Sequence, residues 1–255
     1  MCRDMSMIVM SDFSVRWSKA TSSHSEIVRE HRLCDTGLVN QARSEAPFVG
    51  VEIVPPKGRY DAPVEQWVFS VDAGYTHILP PWWDAVRAEE AARAALPQWI
   101  AECVVLPGQI RNTVYVGQRV CVYGGTIQCV DGGTIQEVYG GTIEYVYGGT
   151  IQRVKGGTIQ YVSGGKIQCV KGGTIQYVKG GTIERVGGGV IQAVCGGAVQ
   201  HVCGHGTVIL KKPLPDIHIE GKGVVLDRTG ETVEMRTAAP VDVPEIPIKE
   251  KQEGL

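Results

Sequence analysis

The stretch Gly124–Cys203 reads GGTIQCVD, GGTIQEVY, GGTIEYVY, GGTIQRVK, GGTIQYVS, GGKIQCVK, GGTIQYVK, GGTIERVG, GGVIQAVC, GGAVQHVC. It contains ten in-register copies of an octapeptide with the consensus Gly-Gly-Thr-Ile-Gln-x-Val-x and no insertion. A unit this short cannot bury a hydrophobic face alone, so successive copies must stack to form a continuous core. The repeat therefore predicts the architecture of about a third of the chain.

The residue types of the octapeptide favour strands over helix. A Gly-Gly pair in every copy would cost a helix about 1 kcal/mol per glycine relative to alanine. Thr, Ile and Val are β-branched and favour strands, and glycine suits corners because it adopts positive φ angles without a Cβ clash. We therefore predict a mainly β fold in which strands and Gly-Gly corners alternate and the chain coils into a β-solenoid.

The variable sixth position of the octapeptide indicates how many copies make one turn. Tyrosine occupies it only in odd-numbered copies, at Tyr145, Tyr161 and Tyr177, which are sixteen residues apart. Two octapeptides per turn would stack these rings in a ladder at the spacing of about 4.7–4.9 Å between strands. The same arrangement would place Glu137 beside Arg153 on the opposite side of the coil, as an opposite-charge pair of the kind that stabilises sheets.

The fourth and seventh positions of the octapeptide supply the predicted core. Ile127 and Val130, with their equivalents in the other copies, are apolar throughout. Their separation of three residues departs from the strict alternation of side chains along a strand. A bend between them, near the glutamine and the variable residue, would bury both and leave those two positions outside.

Composition excludes several classes of function and compartment. The chain of 255 residues has a formal net charge of −2, and the repeats hold six Lys or Arg against four Asp or Glu. This balance argues against nucleic-acid binding or mimicry. The first fifteen residues lack the apolar run of a signal peptide, and no run of eighteen apolar residues indicates a membrane span. We therefore expect a cytoplasmic protein without membrane association, whose eight cysteines are free thiols.

The regions outside the repeats divide into a head, a cap and a tail. The predicted boundaries are an α/β head at 1–116, the solenoid at 117–211, an irregular C-terminal cap at 212–237 and a flexible tail at 238–255. The predicted elements of the head are helices at Glu26–Leu33 and Trp82–Cys103 and strands at Phe48–Val54 and Gln66–Val71. Pro97 is expected to kink or break the second helix.

Two groups of aromatic residues are candidate partner-binding sites. The ladder of Tyr145, Tyr161 and Tyr177 either stabilises the sheet or presents a flat aromatic surface to a protein or carbohydrate partner. Trp82 and Trp83 either anchor the core of the head or line a ligand pocket, since paired indoles give stacking surface. Interruptions in the threonine column argue against an ice-binding array.

His31 and Cys34 are the candidate metal ligands. Their i, i+3 spacing would place them on one face of a helix, and His24 precedes them in the segment HSEIVREHRLCD. A zinc site would need a further ligand such as His77 or Cys103, and the spacing matches no zinc signature. A surface helix with a partly buried cysteine explains the same residues. A Cys-His nucleophile pair has no local signature either, so we expect no cofactor, no metal and no enzymatic activity.

The combination of head and repeats resembles uncharacterised bacteriophage-type proteins with a small N-terminal head and Gly-Gly-Thr-Ile/Val octapeptides. The segments that carry the resemblance are HRLCDTGLVNQARSEAPFVGVEIVPP (His31–Pro56), LPPWWD (Leu79–Asp84), VVLPGQ (Val104–Gln109) and the repeats from VYGGTIQ onward. The resemblance implies a phage or prophage origin and expression inside a bacterium. It carries no functional residues, because the family has no established activity.

These observations lead to three hypotheses about function. The first is a non-enzymatic structural or protein-interaction protein, whose partner is another protein or a second copy of the chain. The second is a binder or inhibitor of a host factor or small ligand, acting through the Trp-rich head. The third is a metal- or thiol-dependent enzyme that uses His31 and Cys34.

Overall fold

The head and the coil are described by a computed structural model covering residues 5–33, 46–72, 79–214, 217–230 and 233–238. The described elements of the head, in chain order, are β1 (Ser6–Met10), β2 (Val15–Arg16), α1 (His24–Glu30), β3 (Phe48–Val54), β4 (Val68–Val71) and α2 (Ala85–Cys103), with short 3₁₀ turns at Pro56–Gly58 and Val64–Gln66.

The strands that follow belong to the coil. They are β5 (Val104–Val105), β6 (Ile110–Tyr115), β7 (Arg119–Val122), β8 (Thr126–Asp131), β9 (Thr134–Val138), β10 (Thr142–Val146), β11 (Thr150–Val154), β12 (Thr158–Val162), β13 (Lys166–Val170), β14 (Thr174–Val178), β15 (Thr182–Val186), β16 (Val190–Val194), β17 (Ala198–Val202), β18 (Thr207–Leu210), β19 (His218–Ile219), β20 (Val224–Asp227) and β21 (Glu234–Thr237).

These strands form a β-solenoid of about eight turns over residues 104–227. From β5 to β20, consecutive strands alternate between two sheets, a nine-stranded one (β21-β20-β18-β16-β14-β12-β10-β8-β6) and an eight-stranded one (β19-β17-β15-β13-β11-β9-β7-β5). The parallel register pairs Ile143 with Ile159 and Tyr145 with Tyr161, sixteen residues along the chain. This confirms the prediction of a mainly β fold with two octapeptides per turn.

The core of the solenoid contains both predicted apolar columns. Every fourth- and seventh-position side chain of the ten repeats is at most 3% exposed. Where β10 pairs with β12, the third, fourth, sixth and seventh positions of one octapeptide each lie opposite the same position of the other. Ile159 and Val162 therefore both point inward although they lie three residues apart, as the predicted bend requires.

Glycine is required at the corners for two separate reasons. From the third to the tenth copy, the second glycine has φ between 71° and 80°. Residues that carry a Cβ rarely adopt such backbone angles. The corners also stack closely, because a Cβ added at Gly173 would lie 2.5 Å from the carbonyl oxygen of Gly157 in the preceding turn. The Gly-Gly pair is thus a packing requirement between turns as well as a local turn signal.

The coil extends beyond the predicted limits of 117–211 at both ends. β5 and β6 precede the predicted start and continue the two sheets. At the other end, the segment predicted as an irregular cap supplies β19 and β20, which pair in parallel with β17 and β18. Ile217, Ile219 and Val225 fill the last turn of the core, so apolar residues continue the stacking where the octapeptide itself is lost. β21 then pairs antiparallel with β20.

Arg111 closes the first turn of the solenoid against the head. It occupies the core column, since its register partner is Ile127. Its guanidinium donates to the backbone oxygens of Ala101 at 2.9 Å and Glu102 at 2.8 Å, in the last turn of α2, where carbonyls lack intrahelical partners. One arginine therefore caps α2 and covers the end of the apolar column.

The head is a four-stranded antiparallel sheet, ordered β2-β1-β3-β4, with a helix on each face. α2 packs its Trp99 against the face that contains Val51, and α1 packs its Ile27 against Ile8 on the opposite face. β3 lies where it was predicted, β4 begins two residues later, and α1 begins two residues earlier and ends sooner than predicted.

The helix α2 continues through Pro97, where the sequence predicted a kink or a break. Asp84 accepts hydrogen bonds from the backbone N–H groups of Val86 and Arg87 and so caps its start. The buried stripe includes Leu96 and Trp99 on either side of the proline. Burial of such side chains contributes about 1.5–3 kcal/mol each, which offsets the cost of about 3 kcal/mol for a proline inside a helix.

Candidate partner-binding face

Four tyrosines form a stacked aromatic surface on the nine-stranded sheet. The ring centroids of Tyr145 and Tyr161, and those of Tyr161 and Tyr177, are 5.3 Å apart with an interplanar angle of 11°. Tyr147, in the eighth position of the third copy, stacks on Tyr145 at 5.8 Å and 3°. The predicted ladder is therefore present and has a fourth member; we call Tyr145, Tyr147, Tyr161 and Tyr177 the tyrosine face.

The tyrosine face is open to solvent. Tyr145, Tyr147 and Tyr177 are 40%, 55% and 43% exposed, while Tyr161 lies half-buried between its neighbours. The ammonium of Lys179 lies 5.9 Å from the ring centre of Tyr161, within the range of a cation–π contact. The surface thus combines stacked rings with one positive charge.

The predicted ion pair lies on the opposite, eight-stranded sheet. Glu137 is 4% exposed and accepts hydrogen bonds from Arg153 Nε at 2.6 Å and Lys155 Nζ at 2.5 Å. Burial alone would raise the pKa of Glu137, but hydrogen bonds from Lys155, Tyr139 and Arg153 together outweigh burial and hold the pKa below its usual value. This side of the coil is therefore occupied by an internal charge network.

The head already packs on tyrosines of the eight-stranded side. Tyr60, 1% exposed, lies 6.1 Å from the ring of Tyr123 and 6.2 Å from that of Tyr139. These two coil residues also contact each other at 6.0 Å. A column of tyrosines on this solenoid therefore serves as a docking surface within the molecule itself.

Trp82 and Trp83 anchor the head. The indole N–H of Trp82 donates to the backbone oxygen of Ala46 at 2.8 Å, and its ring contacts Phe13 edge-to-face at 6.0 Å. Trp83 packs against Trp82 at 5.9 Å. Both rings are partly buried against the main core of the head, which favours the anchoring interpretation of the pair over the ligand-pocket one.

His31 lies at a cleft, whereas Cys34 lies outside the described residues. The Nε2 of His31 is 3.0 Å from the backbone oxygen of Trp17, so this nitrogen is a donor. His31 and Trp17 line a cleft of about 500 Å³, whose wall also contains Arg16, Lys19 and Glu102. Neither Trp82 nor Trp83 lines this cleft, whose wall combines charged groups with apolar side chains such as Val15 and Ala20.

The described cysteines are all free thiols. Cys103, the alternative partner for a histidine in a nucleophilic pair, is 2% exposed, and burial raises the pKa of its thiol to about 11. A thiol with that pKa is not ionised at neutral pH, and the thiolate is the nucleophilic form. The chemistry required of a cysteine nucleophile therefore does not fit Cys103.

Comparisons with known proteins yield no relative. No family model, no curated protein and no solved structure matches the chain. Within the described residues, neither helix has the length and apolar character that a membrane crossing requires.

Proposed function

We propose that the chain is a non-enzymatic, phage-type β-solenoid protein whose tyrosine face binds a protein partner. The single observation that carries the proposal is the exposed stack of Tyr145, Tyr147, Tyr161 and Tyr177. We also propose that the protein acts in the bacterial cytoplasm. The alternative partner is a second copy of the same chain. Sizing by light scattering over a range of concentrations distinguishes self-association from binding of another protein.

The rigidity of the tyrosine face supports a binding role. Tyr145 and Tyr161 each stack between two rings, and Tyr147 and Tyr177 each stack on one, along a ladder whose backbone hydrogen bonds repeat at every turn. Ordering a mobile side chain at an interface costs about 0.5–1.5 kcal/mol. Rings that are already stacked avoid much of this cost, and tyrosine supplies a large contact area with few rotatable bonds.

The internal docking of the head supports the same role. Tyr60 packs on Tyr123 and Tyr139 on one side of the coil, which is an example of how this scaffold's tyrosine columns receive an aromatic side chain. The tyrosine face repeats that chemistry on the other sheet. We therefore expect the partner to present an aromatic or apolar anchor, with an acidic group near Lys179.

We expect the double variant Tyr145→Ala/Tyr177→Ala to bind its partner at least about tenfold more weakly than the original protein, because truncated aromatic anchors cost about 2 kcal/mol or more at binding hot spots. The partner is first isolated from a host lysate and identified, and its affinity is then measured by titration calorimetry. The fold should persist, because both side chains are largely outside the core.

The matched control is Tyr115→Ala. Tyr115 is 58% exposed on the same sheet but is not part of the stack, so its loss should leave the affinity unchanged. An unchanged affinity of the double variant, or an equal loss in the control, would contradict the proposal.

A second candidate function is small-ligand binding in the polar cleft of the head. The specific observation is the convergence of Arg16, Lys19, His31 and Glu102 on one cleft. Lys19 and Glu102 form an ion pair with each other, so Arg16 is the charged group that would meet an anionic ligand there. If the tyrosine variants bind the partner as tightly as the original protein, this cleft becomes the leading site.

A further inference from the structure

Three side chains with metal-ligating atoms converge on one side of the head sheet. His24 begins α1, Glu52 lies on β3, and Asp72 directly follows β4. One imidazole nitrogen and one oxygen from each carboxylate all lie within 4.8 Å of one another. The three residues are distant in sequence, so the fold itself assembles this group, which we call the His24 cluster.

The hydrogen bonding of His24 directs its second ring nitrogen at the carboxylates of the cluster. The ring is 5% exposed, and its Nε2 lies 3.0 Å from the backbone oxygen of Val51. A carbonyl oxygen only accepts hydrogen bonds, so Nε2 carries a proton. Nδ1 lies 2.6 Å from the carboxylate of Asp72. The short contact needs a positive charge between Nδ1 and the carboxylate, which either a proton on Nδ1 or a bound metal cation supplies.

The contact of His24 with Val51 is also the arrangement that metal-binding histidines use. Such histidines donate their second ring N–H to a carbonyl or carboxylate, which fixes the tautomer and aims the other nitrogen at the metal. Here the buried strand β3 supplies both the carbonyl of Val51 and, at the next residue, the carboxylate of Glu52. The imidazole is therefore oriented by the strand that provides its fellow ligand.

Ser6 supplies a second, independent observation. It is 3% exposed, and its Oγ has no hydrogen-bond partner among the described residues. The register of β1 and β3 places Ser6 directly opposite Glu52, on the same face of the sheet as Ile8 and α1. Paired side chains on one face of a sheet have Cβ atoms about 4.5–5.5 Å apart, so a buried hydroxyl adjoins the carboxylates.

We propose that His24, Glu52 and Asp72 bind one divalent transition-metal cation through one nitrogen and two carboxylate ligands. Imidazole favours Zn²⁺ and similar ions over Mg²⁺ or Ca²⁺, and three protein ligands leave a coordination position for water or a small ligand. A water on the metal would supply the hydrogen-bond partner that the Ser6 hydroxyl lacks among the described residues. Two carboxylates balance the charge of the ion, which joins α1 to β3 and to the end of β4.

The test titrates Co²⁺ into the full chain after chelator treatment, with calorimetry and absorption as readouts. We expect saturable binding of one equivalent and a spectrum without a sulfur-to-cobalt charge-transfer band. We also expect the melting temperature to rise with Co²⁺ concentration, because a ligand that binds the folded state stabilises it. The absence of saturable binding, or a thiolate spectrum, would overturn the proposal without any variant.

The isosteric variants Glu52→Gln and Asp72→Asn should each weaken Co²⁺ binding at least about tenfold, because a ligand is replaced by a poorer one. The matched control is Glu26→Gln, which removes an exposed carboxylate on α1 that pairs with Arg29. Its affinity for Co²⁺ should be unchanged. Equal binding by all three folded variants would show that the ion sits elsewhere. The outcome is independent of the tyrosine face.

Discussion

Gly173→Ala should destabilise the solenoid by about 2–5 kcal/mol. Gly173 has φ of 76°, and a side chain in this left-handed region costs about 1–2 kcal/mol. The added Cβ would also lie 2.5 Å from the Gly157 carbonyl oxygen of the preceding turn. Backbone cannot move aside without separating two strands, and overpacking of this kind costs about 1–3 kcal/mol more.

Gly108→Ala is the matched control for that prediction. Gly108 has φ of 80°, but a Cβ there would meet nothing within 4 Å. It should therefore show only the conformational cost of about 1–2 kcal/mol. Urea unfolding followed by circular dichroism measures both variants. Equal destabilisation by the two changes would mean that the turns do not stack as closely as described.

Ile159→Ala should cost about 2–5 kcal/mol of unfolding free energy, the range for removing a large aliphatic side chain from a core. Ile159 is fully buried, and its register partners are Ile143 and Ile175 in the adjacent turns. The stacked neighbours are fixed by their own ladders, so the cavity has little scope to close. The same urea experiment gives the measurement.

Ile159→Val is the conservative comparison, because it removes one methylene and should cost about 0.5–1.5 kcal/mol. A cost below about 1 kcal/mol for the alanine variant would contradict a continuous closed core. A similar cost for both variants would do the same.

The sequence predicts the coil well because one variable position reports on the register. Tyr145, Tyr161 and Tyr177 lie in adjacent turns of one column only if two octapeptides make a turn, and the same rule pairs Glu137 with Arg153. Both contacts are present. These contacts between residues sixteen apart can be predicted from the repeat period alone, because each turn repeats the geometry of the preceding turn.

The ends of the coil are predicted less well because the octapeptide is lost there. In the first turn, the side chains of Gln109 and Gln118 accept from the backbone N–H groups of Leu106 and Tyr115 at 2.9 Å. The two Gly-Gln dipeptides at 108–109 and 117–118 are the signal that replaces the Gly-Gly corner. Arg111 also makes the first turn hard to recognise in the sequence, because it occupies a position that is apolar in the repeats. An arginine fits there only because the last carbonyl groups of α2 accept its hydrogen bonds.

The His24 cluster lies beyond sequence reasoning for a different reason. The sequence places His24 near His31 and Cys34 only because they share one short segment, but the fold joins it to Glu52 and Asp72 instead. These partners follow at distances with no periodic or motif signal, and only the pairing of β1, β3 and β4 brings them together. Long-range assembly of this kind depends on tertiary packing, which local spacing does not encode.

The central claim, two octapeptides per turn, is tested most directly by one distance. Spin labels are attached through non-cysteine chemistry at residues 128 and 192, two exposed glutamines sixty-four residues apart in the same column. Pulsed electron–electron double resonance should give a separation of about 19 Å between the two labelled positions, which is four strand spacings along the coil. A separation of about 38 Å, as one octapeptide per turn requires, would contradict the coil and with it the tyrosine face.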